Sequence, residues 1–259
     1  MLEQFKKILQ DELPVRPWQQ EATRRLPGIQ PLDLSEWILI DEVFAKQMAY
    51  RDWLLENERD LVFQQLEDFD QSIAQELLDM VCEDLKTKEG FSVSDSSVTR
   101  PDGVVVERSG ELPLIIAARL VQQDLLLMES RGGDLILTAA VLCFPASWSL
   151  KEKLGKSLMG IHLPVKHYEE DLNKRVLRLF EAIKPDRPLW RANYLCYEDP
   201  NLFQPRTEDN RRYEGIDYMR VERQALRRLP QSNAVLFSLH TYVVKMQSSW
   251  REELAIASS

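Results

Sequence analysis

The segment Ala-Val-Leu-Phe-Ser-Leu-His-Thr-Tyr-Val-Val, residues 234–244, carries the clearest structural signal in the chain. Its side chains alternate with a period of two, which predicts a β-strand. Residues 190–197 and 219–226 have a similar composition and predict two further strands. A continuous apolar run between Gly133 and Pro145 is typical of a buried strand. The C-terminal part of the chain therefore predicts a sheet with several neighbouring strands.

The first third of the chain has a helical pattern instead. Residues 34–66 are rich in Glu, Gln and Leu and contain neither Pro nor Gly, and Ser35 is a candidate N-cap. Apolar residues at three- and four-residue spacings predict a helix over residues 73–85, which Asp70 can cap. This spacing places Cys82 on the buried side, where a small core residue is the expected role.

The remaining segments complete a fold prediction. Residues 112–128 and 171–183 have helical patterns, and residues 151–159 suit a short helix. Residues 90–110 are polar and predict a loop, or a short hairpin that uses residues 104–106. Strands with few intervening helices indicate an antiparallel sheet. We therefore expect an α+β fold in one domain, 1–259, with a helical region over about 1–90 and a mixed sheet region over about 91–245.

Composition and charge exclude several classes of protein. With 33 basic and 42 acidic residues, the net charge of −9 argues against a nucleic-acid partner. No run approaches the roughly 18 apolar residues of a membrane helix, and the N-terminus has no uninterrupted apolar core of a secretory signal. The three cysteines form no C-x-x-C pair, so we expect neither a disulfide framework nor a cysteine zinc site. A cytoplasmic location is the expectation that follows.

The three histidines, His162, His167 and His240, do not have the spacing of a zinc protease motif. His162 lies in Gly-Ile-His-Leu-Pro-Val, and a histidine among apolar residues belongs more often to a core than to a metal site. His167 precedes acidic residues and suits an exposed helix start. His240 lies within the best predicted strand, so its surroundings depend on which face of the sheet is covered.

A cluster of arginines stands out in this acidic chain. Residues 219–230 read Met-Arg-Val-Glu-Arg-Gln-Ala-Leu-Arg-Arg-Leu-Pro and hold four arginines and no lysine. An exposed charged face with internal ion pairs is the ordinary explanation. However, alternation with Val221, Ala225 and Leu226 turns some arginines toward the protein, and a buried arginine needs an anionic partner. The planar guanidinium binds carboxylates and phosphates in a bidentate manner, so the cluster favours an anion-binding strand.

The same block resembles the haem-dependent oxidative N-demethylase family, whose dimethylamine monooxygenase-like members have a PAS-like haem-binding subunit. The resemblance continues in the segment Cys-Phe-Pro-Ala-Ser-Trp at 143–148, in Glu-Lys-Leu-Gly at 152–155 and in Ile-His-Leu-Pro-Val at 161–165. Shorter matches are Pro-Leu-Asp at 31–33, Trp37, Asp41, Glu-Leu-Leu at 76–78, Gln-Asp-Leu at 123–125 and Arg-Ala-Asn at 191–193. The ordered set spans about residues 30–245.

The resemblance implies a PAS-like antiparallel sheet, flanked by helices, that encloses one b-type haem with its iron. It implies a monooxygenase that removes a methyl group from a small methylated amine and releases formaldehyde. Electrons would come from NADPH through a flavin and an iron–sulfur cluster on separate reductase subunits. These would be partners of the chain, because its own sequence has no dinucleotide fingerprint and no cysteine cluster.

Specific roles follow from the resemblance alone. His162 becomes the first choice for the iron ligand, since neutral imidazole is a common axial ligand of haem. The haem propionates need cationic partners, and the candidates are Arg191, Arg220, Arg223, Arg227 and Arg228. Glu222 and Asp124 are the candidate catalytic residues, as acceptors for a cationic amine. The apolar cover of the haem is expected from Phe144, Trp148 and Phe237.

Two other functions remain open at this point. PAS-like folds commonly bind haem or a small ligand without chemistry, so a non-catalytic sensor or binding protein is the alternative. A haem-free interaction subunit that kept only the fold is the third. An absorption spectrum separates the third from the others, and formaldehyde release separates the first from the second.

Overall fold

The computed structural model describes residues 2–24, 28–157, 160–161, 178–207 and 216–257. Its strands are β1 (Gln30–Pro31), β2 (Phe63–Gln65), β3 (Ser92–Val93), β4 (Ser97–Thr99), β5 (Val105–Glu107), β6 (Asp124–Arg131), β7 (Asp134–Val141), β8 (Leu189–Tyr197), β9 (Tyr218–Arg228) and β10 (Val235–Lys245). Seven of them form one sheet in the order β1-β8-β9-β10-β6-β7-β2, and every neighbouring pair in it is antiparallel. The predicted α+β class is confirmed.

The helices are α1 (Glu21–Arg24), α2 (Phe44–Asn57), α3 (Arg59–Val62), α4 (Gln71–Leu85), α5 (Pro113–Ala118), α6 (Leu150–Lys153) and α7 (Ser248–Ala257). Residues 178–182 are also helical, and Leu2–Phe5 and Leu34–Glu36 form single turns of 3₁₀ helix. Within the described ranges, none of these helices has the length and apolar character that crossing a bilayer requires. The helical first third is supported only roughly, because β1 and β2 also lie in it.

The long strands confirm the sequence prediction for the C-terminal region. β8, β9 and β10 lie side by side, with Arg223 opposite His240 on one side and Ala192 on the other. A short turn joins β9 to β10, in which the Leu229 amide donates to the Ala234 carbonyl. Asn233 adopts a left-handed φ of 59° there, a conformation that asparagine tolerates better than most residues. The alternation seen in the sequence therefore corresponds to the two faces of a real sheet.

The helix predicted over residues 73–85 is confirmed as α4. The Asp70 side chain caps it by accepting from the Ser72 amide at 2.9 Å, and Cys82 is buried as expected. The region 34–66 is less uniform than predicted. It contains α2 and α3, but it ends in β2, which pairs with β7 at the edge of the sheet.

Two other segments differ from their predicted structure. The prediction of one helix over residues 112–128 was wrong, because α5 ends at Ala118 and β6 begins at Asp124. The apolar residues of β6 lie between β10 and β7, so pairing on both edges overrides the helical pattern. Residues 90–110 form more than a hairpin, since β3, β4 and β5 make a separate three-stranded antiparallel sheet.

The large sheet has two faces with different coverings. One face, here the helical face, carries Leu236, Leu125, Val141 and Ala225, which share an apolar core with α4 and α5. The same face continues through Val221 and Tyr242 to the buried Trp250 of α7. The other face, here the polar face, is named for Arg220, Glu222 and Gln224 on β9. Strand geometry places these alternate residues on one side.

At the free edge of β10, hydrogen bonds from Gln10 and Gln47 take the place of a neighbouring strand. β6 pairs with β10 only as far as Leu239. Beyond it, the Gln10 backbone amide donates to the Val243 carbonyl at 3.0 Å, and the Gln10 side-chain oxygen accepts from the Val243 amide at 2.8 Å. Gln10 and Gln47 both donate a side-chain N–H to the Thr241 carbonyl. The N-terminal segment and α2 thereby satisfy backbone groups that would otherwise be buried unpaired.

Candidate functional site

A row of three polar residues crosses the centre of the polar face. Thr241 on β10 lies directly opposite Glu222 on β9, and Glu222 lies directly opposite Asn193 on β8. Directly opposite residues on adjacent strands project to the same side of a sheet, so the three side chains are neighbours. Such a polar row inside a sheet is costly to bury unless its groups are satisfied.

Glu222 is surrounded by hydrogen-bond donors. Its Oε1 lies 3.4 Å from Nη2 of Arg220, and its Oε2 accepts from Nδ2 of Asn193 at 3.3 Å and from Nε2 of Gln224 at 3.4 Å. The carboxylate is 4% exposed and its arginine neighbour is 1% exposed. The distances are long for charge-assisted hydrogen bonds, which are typically 2.7–2.9 Å. The carboxylate is thus compensated, but it is not held tightly by any one donor.

Several buried polar atoms of this face have no hydrogen-bond partner among the described residues. They are the Thr241 Oγ1, the Asn193 Oδ1 and the Arg220 Nε. The Thr241 hydroxyl can donate and accept, the Asn193 oxygen accepts and the Arg220 Nε donates, and all three belong to the central row or to the row beside it. Buried polar atoms are normally paired, and exceptions often mark a place where a ligand or water binds. The polar face, where such atoms surround the buried Glu222 carboxylate, is therefore a candidate site.

The part of the polar face next to this row is apolar. Leu226, Leu239 and Leu126 pack there with Phe180 and Ile183. Partly buried residues join the same cluster, namely Trp148, Ile161, Leu179, Leu189 and Phe237. This cluster is buried and packed, and an apolar lining beside a few polar groups is typical of pockets that bind a ligand with an apolar body and polar ends.

The chain approaches this cluster just before His162. Ile161 packs against the apolar cluster, and the buried Lys153 donates from Nζ to the Ile161 carbonyl at 2.8 Å. The Ile161 amide donates to the Ser157 carbonyl, and Ser157 forms a bridge with Ile136 of β7. His162 itself lies outside the described residues, as does His167.

Arg220 lies on the polar face with its guanidinium turned toward backbone carbonyls. It donates from Nη1 to the Leu202 carbonyl at 3.0 Å and from Nη2 to the Phe144 carbonyl. The guanidinium carbon lies 6.0 Å from the centre of the Tyr197 ring. Of the sequence-predicted anion-binding arginines on β9, Arg220 is the one whose guanidinium lies beside the Glu222 carboxylate, at 3.4 Å.

Arg223 and Arg227 lie on the helical face instead. Arg223 donates to the Glu36 backbone carbonyl at 2.8 Å and approaches its carboxylate at 3.5 Å, and burial lowers the pKa of Arg223. Arg227 forms a salt bridge with Asp84 of α4 and lies over the Trp37 ring at 4.5 Å. These two arginines therefore bind residues of the N-terminal helical region to the sheet through hydrogen bonds and ion pairs.

Arg228 and Arg191 lie on the polar face, but their surroundings differ. Arg228 donates to the carbonyls of Phe180, Ile183 and Asn233, so it satisfies backbone acceptors at the end of the helical residues 178–182. Arg191 is half-buried on β8, directly opposite Gln224 and one row from Glu222. Arg191 is therefore the closer of the two to the polar row.

Asp124 is fully buried at the start of β6. Its Oδ1 forms a salt bridge with Nη1 of Arg51 at 2.9 Å and accepts from the Cys143 amide at 2.7 Å, while its Oδ2 accepts from the Phe144 amide at 3.0 Å. Burial raises the pKa of the Cys143 thiol to about 12, so this cysteine is not a thiolate nucleophile. Both carboxylate oxygens of Asp124 are thus occupied within the protein.

His240 lies on the helical face, away from the polar row. Its Nε2 lies 3.1 Å from Oδ2 of Asp41, and its ring packs at 4.6 Å on Tyr242. Burial alone would raise the pKa of Asp41, but His240 and the amides of Gln10 and Gln122 hold it below the ordinary 3.8. The described residues contain no group of three or more potential metal-ligating side chains.

The polar face fits a haem in most of its chemistry. Its apolar residues suit a porphyrin, its unpaired Arg220 N–H suits a propionate, and its unpaired oxygens suit a small molecule with N–H donors. His240 does not lie on this face, because its Nε2 is beside Asp41 on the opposite side of the sheet. The other two histidines lie outside the described residues, and of these His162 directly follows Ile161 of the apolar cluster.

Sequence reasoning did not single out Asn193, Gln224 and Thr241, which lie beside Glu222, or Arg51, which pairs with Asp124. Asn193 and Gln224 did lie in the quoted blocks, but their proximity to Glu222 depends on the pairing of β8 with β9. Register between strands distant in sequence has no local signal in one chain. The alternation of β9 did place Arg220 and Glu222 on one face, and the structure agrees with that placement.

Comparison with known families bears directly on this site. The sequence model of the family described as haem-dependent oxidative N-demethylase, alpha subunit-like, matches residues 28–258. The match covers the polar row, the apolar cluster beside it and the segment that contains His162. Because it spans most of the 259 residues, the chain belongs to the haem-dependent oxidative N-demethylase alpha subunit-like family.

Proposed function

We propose that this protein is the haem-binding subunit of a monooxygenase that removes a methyl group from a small methylated amine, such as dimethylamine. The family match indicates haem-dependent oxidative demethylation. The unpaired buried polar atoms beside Glu222 on the polar face are the observation from which we assign specific residues to this function. We include a PAS-like fold and a cytoplasmic location in the proposal.

The overall reaction balances with one dioxygen and one NADPH. Dimethylamine, dioxygen, NADPH and a proton give methylamine, formaldehyde, water and NADP⁺. Haem, when bound, supplies the oxidising chemistry at its iron, while the protein supplies binding, orientation and exclusion of water. NADPH, flavin and an iron–sulfur cluster belong to separate reductase subunits, and the alpha subunit-like description of the family supports partners of this kind.

In this proposal, His162 is the iron ligand. Leu226, Leu239 and Phe237 cover the porphyrin on the sheet side and keep water from it. Arg220 and Arg191 are the cationic groups of the polar face nearest to the row, and they neutralise the propionates. Arg223 and Arg227 lie on the helical face beside Glu36 and Asp84, and Arg228 lies at the far end of β9, where it donates to the carbonyls of Phe180 and Ile183; these positions favour structural roles for them.

Glu222 and its row hold the amine. A secondary ammonium has two N–H donors, and the row offers the Glu222 carboxylate with the unpaired oxygens of Thr241 and Asn193. Glu222 can also accept a proton when the amine is used as its free base. Arg220 compensates the carboxylate in the absence of the amine, so the site does not bury an unpaired charge.

The proposal is tested by spectroscopy and by product formation. The purified protein should bind one haem per chain, and addition of dimethylammonium chloride should change the absorption spectrum of the haem. With a reductase system or with peroxide as the source of oxygen and electrons, formaldehyde should appear. Glu222→Gln should lose most of the amine response, whereas Glu107→Gln, an exposed change on β5, should retain it.

Two results would redirect the proposal. A haem-loaded protein that binds the amine but never releases formaldehyde, with reductases or with peroxide, would favour the alternative of a non-catalytic haem or small-ligand sensor. A purified protein that binds no haem under any loading condition would leave an interaction subunit as the remaining function.

A further inference from the structure

We propose that Arg51 and Asp124 are positioning residues for Glu222, and that they act through the backbone of Phe144 and the guanidinium of Arg220. The inference rests on the proposed role of Glu222 in amine binding. It assigns Asp124 a role different from direct contact with the substrate, and it gives Arg51, which lies on α2, a part in the site.

The first link is a buried ion pair. Arg51 and Asp124 are both fully buried, and Nη1 of Arg51 lies 2.9 Å from Oδ1 of Asp124. Nη2 of Arg51 donates to the Gln122 carbonyl at 2.6 Å, which fixes the guanidinium from a second side. A buried pair of this kind is held in one arrangement, because any rotation would leave a charge uncompensated.

The second link is the backbone of Cys143 and Phe144. The two oxygens of Asp124 accept the amide N–H groups of both residues, at 2.7 and 3.0 Å. The guanidinium carbon of Arg51 also lies 4.9 Å from the centre of the Phe144 ring. Pro145 follows Phe144 and restricts its backbone. Holding the amide and the ring therefore also sets the direction of the Phe144 carbonyl.

The third link joins this carbonyl to Glu222. The Phe144 carbonyl accepts from Nη2 of Arg220, and the Leu202 carbonyl accepts from Nη1 of the same guanidinium. Nη2 also faces Oε1 of Glu222 at 3.4 Å. Long side chains lose rotamer freedom at a cost, and two fixed carbonyls keep Arg220 in one orientation. The second oxygen of Glu222 is thereby left facing Asn193 and Gln224.

A purely stabilising role for the Arg51–Asp124 pair predicts something different. Loss of the pair would then lower the free energy of unfolding and leave the guanidinium of Arg220 as it is. The positioning role predicts that Arg220 becomes mobile although its own residue and its own charge are unchanged. The two roles are separated by observing Arg220 directly.

The experiment uses the full chain loaded with haem and labelled with ¹⁵N-arginine. A guanidinium held by two carbonyls should show separate Nη signals by NMR, which are assigned by their loss in Arg220→Lys. Asp124→Asn cannot accept both amides, so the Arg220 signals should broaden or merge. Asp84→Asn, which removes the partner of Arg227 on the other face, is the matched control and should leave them separate. Unchanged, separate Arg220 signals in Asp124→Asn would overturn the proposal.

Binding of dimethylammonium chloride, followed by the haem spectrum, gives a second readout. Asp124→Asn should weaken it about tenfold, but should have no further effect in a Glu222→Gln background, because the residues act in one chain. An additive loss in the double variant would contradict the relay. If Glu222→Gln alone leaves amine binding unchanged, the proposed function fails, while the NMR result still decides the relay. Arg51→Lys is the milder variant if Asp124→Asn does not fold, and it should affect Arg220 in the same direction.

Discussion

Arg220 and Arg223 lie three positions apart on β9, and their side chains project from opposite faces of the sheet. Arg220 faces Glu222 and the carbonyls of Phe144 and Leu202, whereas Arg223 faces Glu36. Their sequence context is nearly the same, since both stand in Met-Arg-Val-Glu-Arg-Gln. The pair therefore offers a test in which charge, strand and residue type are matched, while the face of the sheet and the hydrogen-bond partners differ.

We expect Arg220→Met to weaken haem binding and Arg223→Met to leave it nearly unchanged. A charge-assisted hydrogen bond contributes about 1.5–3 kcal/mol, so loss of Arg220 should lower haem affinity roughly 10- to 100-fold. Methionine keeps the apolar stem of the side chain and limits the cavity. Haem titration followed at the Soret band measures both variants. Equal and negligible losses would show that the arginines of β9 are only structural.

The histidines provide the second prediction. His162→Ala should abolish the Soret band or shift it to that of weakly held haem, because the iron would lose its protein ligand. His240→Ala should retain a normal spectrum, since His240 lies on the helical face beside Asp41. Spectra of the oxidised and reduced proteins, with haem loading measured separately, provide the comparison. The opposite outcome would assign the ligand to His240.

The third prediction concerns stability against acid. The pKa of Asp41 is lower in the folded protein than in the unfolded chain. The Asp41 carboxylate therefore stabilises the fold at pH values above its pKa in the unfolded chain, and this contribution is lost as the pH falls through its pKa in the folded protein. Asp41→Asn should therefore be less stable than wild type at pH 6, by about 1–3 kcal/mol. The difference in the free energy of unfolding between wild type and Asp41→Asn should narrow toward pH 3.

Urea unfolding at the two pH values measures this difference. Asp95→Asn alters an exposed carboxylate in the turn between β3 and β4 and should change the free energy of unfolding little at either pH. A gap between wild type and Asp41→Asn that does not depend on pH would mean that the carboxylate contributes by packing and not by its charge.

Part of this fold was accessible from local sequence, and the reasons are physical. Alternation with a period of two reports a strand whose faces differ in surroundings, and this condition holds for β9 and β10. Apolar residues at three- and four-residue spacings indicate a helix with one buried side, and α4, which Asp70 caps, has this pattern. Such segments carry their structure in their own residues.

The failures have an equally physical cause. β6 reads as a helix because residues 125–128 are all apolar, so its two faces do not differ in side-chain character and no alternation marks the strand. The polar row escaped prediction for a related reason. Thr241, Glu222 and Asn193 become neighbours only through the registers of two strand pairs, which no local pattern encodes.

The fourth prediction tests the packing of the helical region against the sheet. Leu77 of α4 is fully buried in the core beneath the helical face. Leu77→Ala should lower the free energy of unfolding by about 2–5 kcal/mol, because it removes apolar contact and leaves a cavity. Val105→Ala, at an exposed position of β5, should change it by less than about 0.5 kcal/mol. Chemical denaturation of both variants checks the contrast.

The last prediction concerns the source of electrons. The sequence contains neither a dinucleotide-binding glycine motif nor a cysteine cluster for an iron–sulfur centre. The haem-loaded chain, mixed with NADPH and dimethylamine, should therefore release no formaldehyde, and a competent reductase should restore release in proportion to the NADPH consumed. The net charge of −9 favours a partner with a basic docking surface. The rate should therefore fall as the salt concentration is raised from about 50 to about 500 mM, because surface charges become screened over this range. The peroxide-driven reaction of the same preparation needs no partner and should respond much less to salt, which makes it the internal control. Demethylation driven by NADPH in the absence of any reductase would refute this division of labour.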